Sequence, residues 1–427
     1  MRDAILKRSA LSVLGPEPDL SGIEALQNCD KNSTRKLLHW LDQSGLALHF
    51  YRTLRRKEFI DHVGMDLRKA LEQRIQENRV RMHAMLGEFK LLNESLTSHG
   101  VRYSCLKGFS LVPEYCPDAS LRHQTDFDFL IAPESVDDAA RAVESCGYRL
   151  EESGPSGEMT FGTPLLRIPS HHDNIYEVPQ HRQVDLHTML WHEAHGVRFD
   201  APTGCLNRLQ CKRFLGIPFP ALAQDDMFLL QVMHAFQHLL GSWIRLSWLW
   251  ELDYFLGTHK EDAALWQSVC DRASRDRNLR RAFGLILRLT NQIFHRPLPA
   301  VLEAWCLAPL SSNSEAWIRH FGLTWAISDL PGKKVTLFVH RDFVNDSNLW
   351  RKYLRRRIFP LHLRSSLKLG IHLTLGGRIK ARISRYIYAL GRVMFHVREM
   401  ASLAVETIRW RRALRSLPSQ RAAIQAD

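Results

Sequence analysis

The stretch Thr125-Asp126-Phe127-Asp128-Phe129-Leu130-Ile131-Ala132 decides the fold of this 427-residue chain. Side chains alternate across an extended strand, so Asp126 and Asp128 share one face while Phe127 and Phe129 point the other way. One face is acidic and the other apolar. Carboxylates this close repel and strands tend to exclude Asp, so the pair calls for an offsetting charge, most simply a divalent cation. Hard oxygen ligands select Mg²⁺ or Mn²⁺, ions that commonly work together with substrate phosphates.

Working outward, residues 103–106 read as a second strand and 109–115 as a short helix. Pro133 with Glu134, Asp137 and Asp138 opens a helix that stops at Gly147, before a further strand at 148–151. This alternation predicts a small mixed unit with its sheet behind the Asp pair. Upstream, Leu67, Leu71, Ile75, Met82, Leu86, Phe89 and Leu96 recur at helical spacing, so a long helix is expected over 61–98. Downstream, the Gly, Pro and Ser content of residues 154–169 predicts a loop or lid. Residues 174–178 and 183–188 read as the arms of a hairpin turning at 180–182, with Asp185 and His187 on one face of the second arm. Residues 223–257 and 261–295 return to helical periodicity. The expected class is α+β, with a helical region over 1–100, a catalytic core over 101–222, a helical substrate or packing region over 223–312 and a basic helical extension over 313–427.

Composition narrows the function classes. Eight scattered cysteines without a CxxC pair fit a reducing compartment and no zinc framework. The first residues, Met-Arg-Asp-Ala-Ile-Leu-Lys-Arg, hold no uninterrupted apolar core, and no run of about 18 apolar residues follows, so a cytoplasmic protein is expected. The net charge of +13 is uneven: residues 351–427 hold 18 Lys plus Arg against three acids, which leaves the first 350 residues at −2. Within that basic segment Ile383, Ile387, Leu390, Met394, Val397, Ala401, Ala404 and Ile408 form an apolar seam, with Arg378, Arg382, Arg385 and Arg392 away from it. A basic amphipathic helix over 378–415 suits a partner helix, an acidic membrane surface at the inner face, or a nucleic-acid backbone. Its continuous apolar face and few aromatics favour docking over RNA.

The site chemistry follows from the acids. Three carboxylates at a sheet rim can hold two metal ions, and Asp185 is the natural third. A turn at Lys107-Gly108 permits close approach of a phosphate, with Lys107 or Ser110 as donors and Arg122 bringing a guanidinium. In the bland readings Lys107 is a solvated strand end and Arg122 an ion-pair partner of Asp126. His187 orients Asp185, touches substrate or is a hydrogen-bonded structural histidine. His192, Glu193 and His195 do not form HExxH, which argues against a zinc hydrolase. His234 and His238, four apart on one helical face, either reach substrate or pack a polar pocket, and Trp243, Trp248, Trp250 and Tyr254 are core or a stacking wall.

The run Leu106-Lys107-Gly108, Arg122, Thr125 to Leu130, Gly147-Tyr148 and Val184-Asp185-Leu186-His187, with His234, His238 and Asp253 beyond it, resembles the bacterial family called uncharacterised nucleotidyltransferases, within the DNA polymerase beta type superfamily. The likeness covers about residues 30–300 and leaves the basic tail unexplained. It implies a minimal nucleotidyltransferase sheet with flanking helices, Asp126, Asp128 and Asp185 as Mg²⁺ ligands, and a nucleoside triphosphate held at Lys107 to Ser110. Two departures stand out: Lys107-Gly108-Phe109-Ser110 replaces the usual Gly-Ser pair, and 17 residues separate Gly108 from Asp126. The expected reaction is metal-dependent transfer of a nucleoside monophosphate to a small-molecule or biosynthetic acceptor. The alternatives are a noncatalytic docking protein that keeps the fold and a nucleic-acid-modifying nucleotidyltransferase.

Overall fold

Four helices, α1 (Arg2–Leu14), α2 (Leu20–Gln27), α3 (Lys31–Ser44) and α4 (Ala47–Arg56), lead into α5, a single 34-residue helix over Met65–Ser98. The computed structural model describes residues 2–18, 20–154, 158–164, 174–179, 181–191, 195–242, 244–328, 334–358 and 375–415. Asp30 caps α3 by accepting from the backbone N–H of Asn32 and Ser33. The helical spacing of α5 serves two separate cores. Leu67, Leu71 and Ile75 enter a helical core, whereas Met82, Phe89, Leu92 and Leu96 lie under the sheet.

Among the described residues the sheet has seven strands: β1 (Tyr103–Cys105), β2 (Asp126–Ile131), β3 (Arg149–Ser153), β4 (Met159–Gly162), β5 (Gln183–His187), β6 (Gln210–Phe214) and β7 (Ile217–Ala221). Their order is β3-β4-β5-β2-β1-β7-β6, with β2–β5 and β1–β7 parallel and the other pairs antiparallel. Phe127, Phe129 and Ile131 of β2 share a face with Val184 and Leu186 of β5 and Phe161 of β4, all fully or almost fully buried. That face packs on α5 and on Ala139, Ala142 and Val143 of α6 (Val136–Ser145). Burying one such phenylalanine contributes about 1.5–3 kcal/mol, so the apolar half of the Asp-x-Asp stretch anchors the strand whose other half carries the acids.

The opposite face of the sheet meets a second layer: α7 (Gln224–Leu240), α8 (Leu246–Thr258), α9 (Ala263–Ala273), α10 (Arg277–Phe294), α11 (Ala300–Leu307), α12 (Ser312–Ala326), α13 (Thr336–His340) and α14 (Ser347–Ile358). α7 is buried over most of its length, with the polar Asp225, Asp226 and Gln231 among its buried residues. α1, α3 and α4 pack into the same core as α7–α13, so sequence-distant helices form one hydrophobic body. The last helix described, α15 (Leu375–Arg415), touches α12 through Trp410, whose ring packs on Phe321.

Helices over 61–98 and 133–147 and strands around 103, 126 and 149 stand where the periodicity predicts them, and the class is α+β. Other segments differ. Residues 109–115 do not form a helix but a 3₁₀ turn over Gly108–Leu111, because Pro113 has no N–H to continue the ladder. Residues 174–178 are not a strand; Asn174 closes a turn by accepting from the Tyr176 N–H. The partner of β5 is instead β4, inside the segment expected to be a loop. Residues 155–157 and 165–169 of that segment lie outside the described residues, as do Gln180, His192, Glu193 and Trp243.

Candidate active site

The register of β2 against β5 builds the acidic face. Asp126 lies opposite Gln183, Asp128 opposite Asp185, and Leu130 opposite His187. Partners in register project to the same side, so Asp126, Asp128 and Asp185 stand together on the face away from the phenylalanines. β4 adds Thr160 opposite Asp185, and its hydroxyl donates to Asp185 Oδ1 at 2.6 Å.

Asp128 is the electrostatic centre. Its Oδ1 accepts from Lys107 Nζ at 2.8 Å and faces His187 Nε2 at 3.2 Å. Burial pushes the carboxyl upward, but Lys107 and His187 outweigh it and hold Asp128 well below the usual carboxylate range. Asp128 Oδ2 is buried without a hydrogen-bond partner. Burial and the Asp128 charge push Asp126 up, and the same two causes carry Asp185 to about 6. Burial lowers His187, but hydrogen bonds to Asp128 and Glu158 win, placing it at about 9. The rim therefore holds carboxylates in mutual repulsion with two cations leaning on one of them.

The Lys107-Gly108 turn is fixed from below. Gly108 has φ +67°, and a Cβ there would sit 2.4 Å from Gln124 Nε2, so both backbone and space demand glycine. Gln124 Nε2 in turn donates to Asp126 O at 2.9 Å, linking the turn to β2. Arg122 donates to both oxygens of Glu251 on α8, at 2.6 and 3.3 Å, and to Gly108 O at 3.3 Å. α5 holds the intervening chain: Asn78 donates to Ser120 O and Arg122 O, and Arg81 to Gln124 O.

The expected phosphate donors are thus placed unevenly. Lys107 lies among the acids. Arg122 pairs with Glu251 and not with Asp126. Ser110 departs from the expectation: it is fully buried, its hydroxyl donates to Lys107 O at 3.1 Å, and the turn that carries it is too short to present a helix N-terminus. A cation that sequence reasoning missed lies beside Asp126. Arg245, at the start of α8, lines a small polar cavity with Arg122, His123, Trp248 and Glu251. Burial lowers its pKa while the Asp126 charge opposes that shift.

α7 supplies the wall over the acids. His234 and His238 contact each other and Trp248, each pair with ring centroids 4.5 Å apart. Burial and the nearby Lys107 charge hold both imidazoles neutral, His238 at about 4. His234 Nδ1 is buried without a partner. The sequence-distant residues Lys107, Asp126, Asp128, Asp185, His187, His234 and His238 therefore lie within electrostatic reach of one another. Trp250 and Tyr254 stack on each other, and Trp250 also stacks on buried His49, away from the acids.

Among the described residues, no three His, Cys, Asp or Glu side chains converge into a preformed metal-ligand group. Thr160, Lys107 and His187 occupy carboxylate oxygens that such a group would need. No curated protein sequence matches the chain. Among solved structures, the antibiotic-resistance factor ANT(2'')-Ia, described in a solution structure with substrate-regulated conformation dynamics, aligns over 45% of this chain and 93% of its own at 12% identity, with a TM-score of 0.29. Residues 30–295, well over half of the chain, match the model of the uncharacterised nucleotidyltransferase family, and the chain belongs to that family of transferase enzymes.

Proposed function

We propose that the protein transfers a nucleoside monophosphate from a nucleoside triphosphate to a hydroxyl, phosphate or amine acceptor, with Mg²⁺ or Mn²⁺ held at Asp126, Asp128 and Asp185. The observation that carries this reading is the in-register placement of the three aspartates on one sheet face. Their donor set fits a hard divalent cation: all-oxygen, with Asp128 Oδ2 buried and unpartnered and two of the carboxyls pushed upward by burial and by the Asp128 charge. When bound, the cation would neutralise phosphate charge and favour deprotonation of the acceptor.

The residues of the chain divide the remaining work. The acceptor oxygen or nitrogen attacks the α-phosphorus, the bond from that phosphorus to the bridging oxygen breaks, and pyrophosphate leaves with the bond electrons. Asp185, held by the Thr160 hydroxyl, takes the acceptor proton. Lys107 and Arg245 supply positive charge to the triphosphate, while Gly108 lets the backbone approach it. Arg122 and Ser110 act through the turn: one ties Gly108 to α8, the other closes the turn from inside. His187 orients Asp128, and neutral His234 and His238 with Trp248 line the acceptor side.

The test is incubation with each labelled nucleoside triphosphate, Mg²⁺ and a metabolite extract. Wild type should release pyrophosphate and label an acceptor, and Asp126→Asn with Asp128→Asn should not. Transfer that survives the double substitution defeats the proposal. Calorimetry gives a second readout: Asp128→Asn should lose affinity for the Mg²⁺-nucleotide, and unchanged affinity removes the metal assignment.

A further inference from the structure

α15 lies outside the family match and makes little contact with the rest of the fold. Its 41 residues hold ten Lys or Arg and two Glu. Ile383, Ile387, Leu390, Met394, Val397 and Ile408 are 54–67% exposed, an apolar seam about 38 Å long at 1.5 Å per residue. Isolated exposed apolar side chains are ordinary, but a continuous seam of this length marks a contact surface.

The charges are sorted around that seam. Both acids sit on the opposite side of the helix, turned toward the fold: Glu399 is buried and accepts from the Lys334 N–H, and Glu406 pairs with Arg409 at 2.7 Å. Arg382, Arg398, Arg409 and Arg411 are all exposed and lie within about a quarter-turn of the centre of the seam. On the fold-facing side of the helix Arg357 and Arg392 crowd Lys334 and His396. Burial and the charges of Arg357 and Arg392 bring Lys334 to about 8, and burial with Lys334, Arg392 and Arg357 lowers His396 to about 4. Tyr386, 70% exposed beside the seam, is the residue type that settles at a water–lipid boundary.

We propose that the exposed face of α15 docks the enzyme on an anionic lipid bilayer, its apolar seam entering the acyl boundary and its arginines engaging lipid phosphates. Charge complementarity selects this occupant. A second copy would bring two strongly cationic helices together seam to seam, with no exposed acid on either to offset the repulsion. A nucleic acid would meet the arginines but leave the apolar seam in water. Among the described residues no helix is long and apolar enough to cross a membrane, so α15 lies in the interface plane.

The test is flotation of the full chain with vesicles of phosphatidylcholine alone or with one quarter phosphatidylglycerol, at about 0.05 and 0.5 M salt. Binding should require phosphatidylglycerol and fall at least tenfold at the higher salt. Leu390→Glu with Met394→Glu, and separately Arg398→Glu with Arg411→Glu, should each lose binding at least tenfold. All four are exposed positions, and unchanged circular dichroism and urea midpoint will show that both variants fold. Absence of flotation, equal binding to both vesicles, or binding that survives the apolar double variant overturns the proposal. So does a dimer that the apolar variant converts to monomer, which would assign the seam to a second copy. An RNA gel shift abolished by the arginine variant, without vesicle binding, would equally overturn it. None of these readouts depends on nucleotidyl transfer.

Discussion

Arg122 and Glu251 offer a direct measure of what holds the Lys107-Gly108 turn. The two side chains are only 11% and 4% exposed, and their closest N–O separation is 2.6 Å. At an effective dielectric of ~20 that distance corresponds to about 6 kcal/mol of attraction, most of it offset by the desolvation of both groups. Removing one partner strands the other charge, so Arg122→Met and Glu251→Gln should each lower the unfolding free energy by about 3–5 kcal/mol. The double variant strands neither. Its loss should fall short of the sum of the single losses by at least ~2 kcal/mol. Urea unfolding followed by tryptophan fluorescence reads all four corners of the cycle. The double variant also separates two roles for Arg122. If the residue acts through the turn, KM of the double variant for the triphosphate should stay within about threefold of wild type, whereas direct phosphate binding predicts a rise above about tenfold. Additivity within about 0.5 kcal/mol would refute the coupling, and a restored fold with a tenfold KM defect would refute the positioning role.

Three further outcomes follow from other contacts. Gly108→Ala should cost about 2–3 kcal/mol, from about 1–2 for the left-handed backbone and about 1 for the displaced Gln124 hydrogen bond, with loss of transfer activity beyond that of a surface Gly→Ala; urea titration and initial rates check it. Thr160→Val removes the donor that lowers Asp185, so in the metal-free protein that carboxyl should titrate above its wild-type value of about 6; carbon NMR of the aspartates reads it, and an unmoved resonance would show that Thr160 does not set the Asp185 charge. Asp253 is raised to about 6 by burial against the pull of Arg296, so the folded state binds the extra proton between about pH 4 and 6 and stability falls as pH rises through that window. Asp253→Asn lacks this slope, and its stability relative to wild type should improve by about 2–3 kcal/mol between pH 4 and 7.5; a flat difference would show that Asp253 titrates normally.

What the sequence made legible were features set by local periodicity. The two-residue repeat of Asp126 to Ile131 and the helical repeat of Leu67 to Leu96 both placed their elements, because each repeat mirrors a face buried against a neighbour. β4 escaped notice because four residues within a Gly-, Pro- and Ser-containing segment carry too little pattern, and its pairing is dictated by β5. β7 escaped because Pro218 and Pro220 argue against an inner strand. In the structure each instead faces β6, opposite Arg213 and Cys211, and the only register with β1 comes one residue later, at Ala221.

The site divides along the same line. Asp126, Asp128 and Asp185 could be found because side-chain alternation alone puts the first two together and a shared strand pattern nominates the third. The cations could not be assigned that way, since a guanidinium reaches several ångströms and its partner is chosen by tertiary packing. Arg122 stands four residues before Asp126, yet it turns to Glu251 on α8, 129 residues away in sequence. Arg245, more than a hundred residues from Asp126, comes to lie beside it because α8 begins over the same cleft. The exchange is physically consistent: burial on the α8 side makes an unpaired Arg122 too costly, so a carboxylate must accompany it. A second arginine at the mouth of α8 is then the group left to face the acids and, in the proposed reaction, the triphosphate.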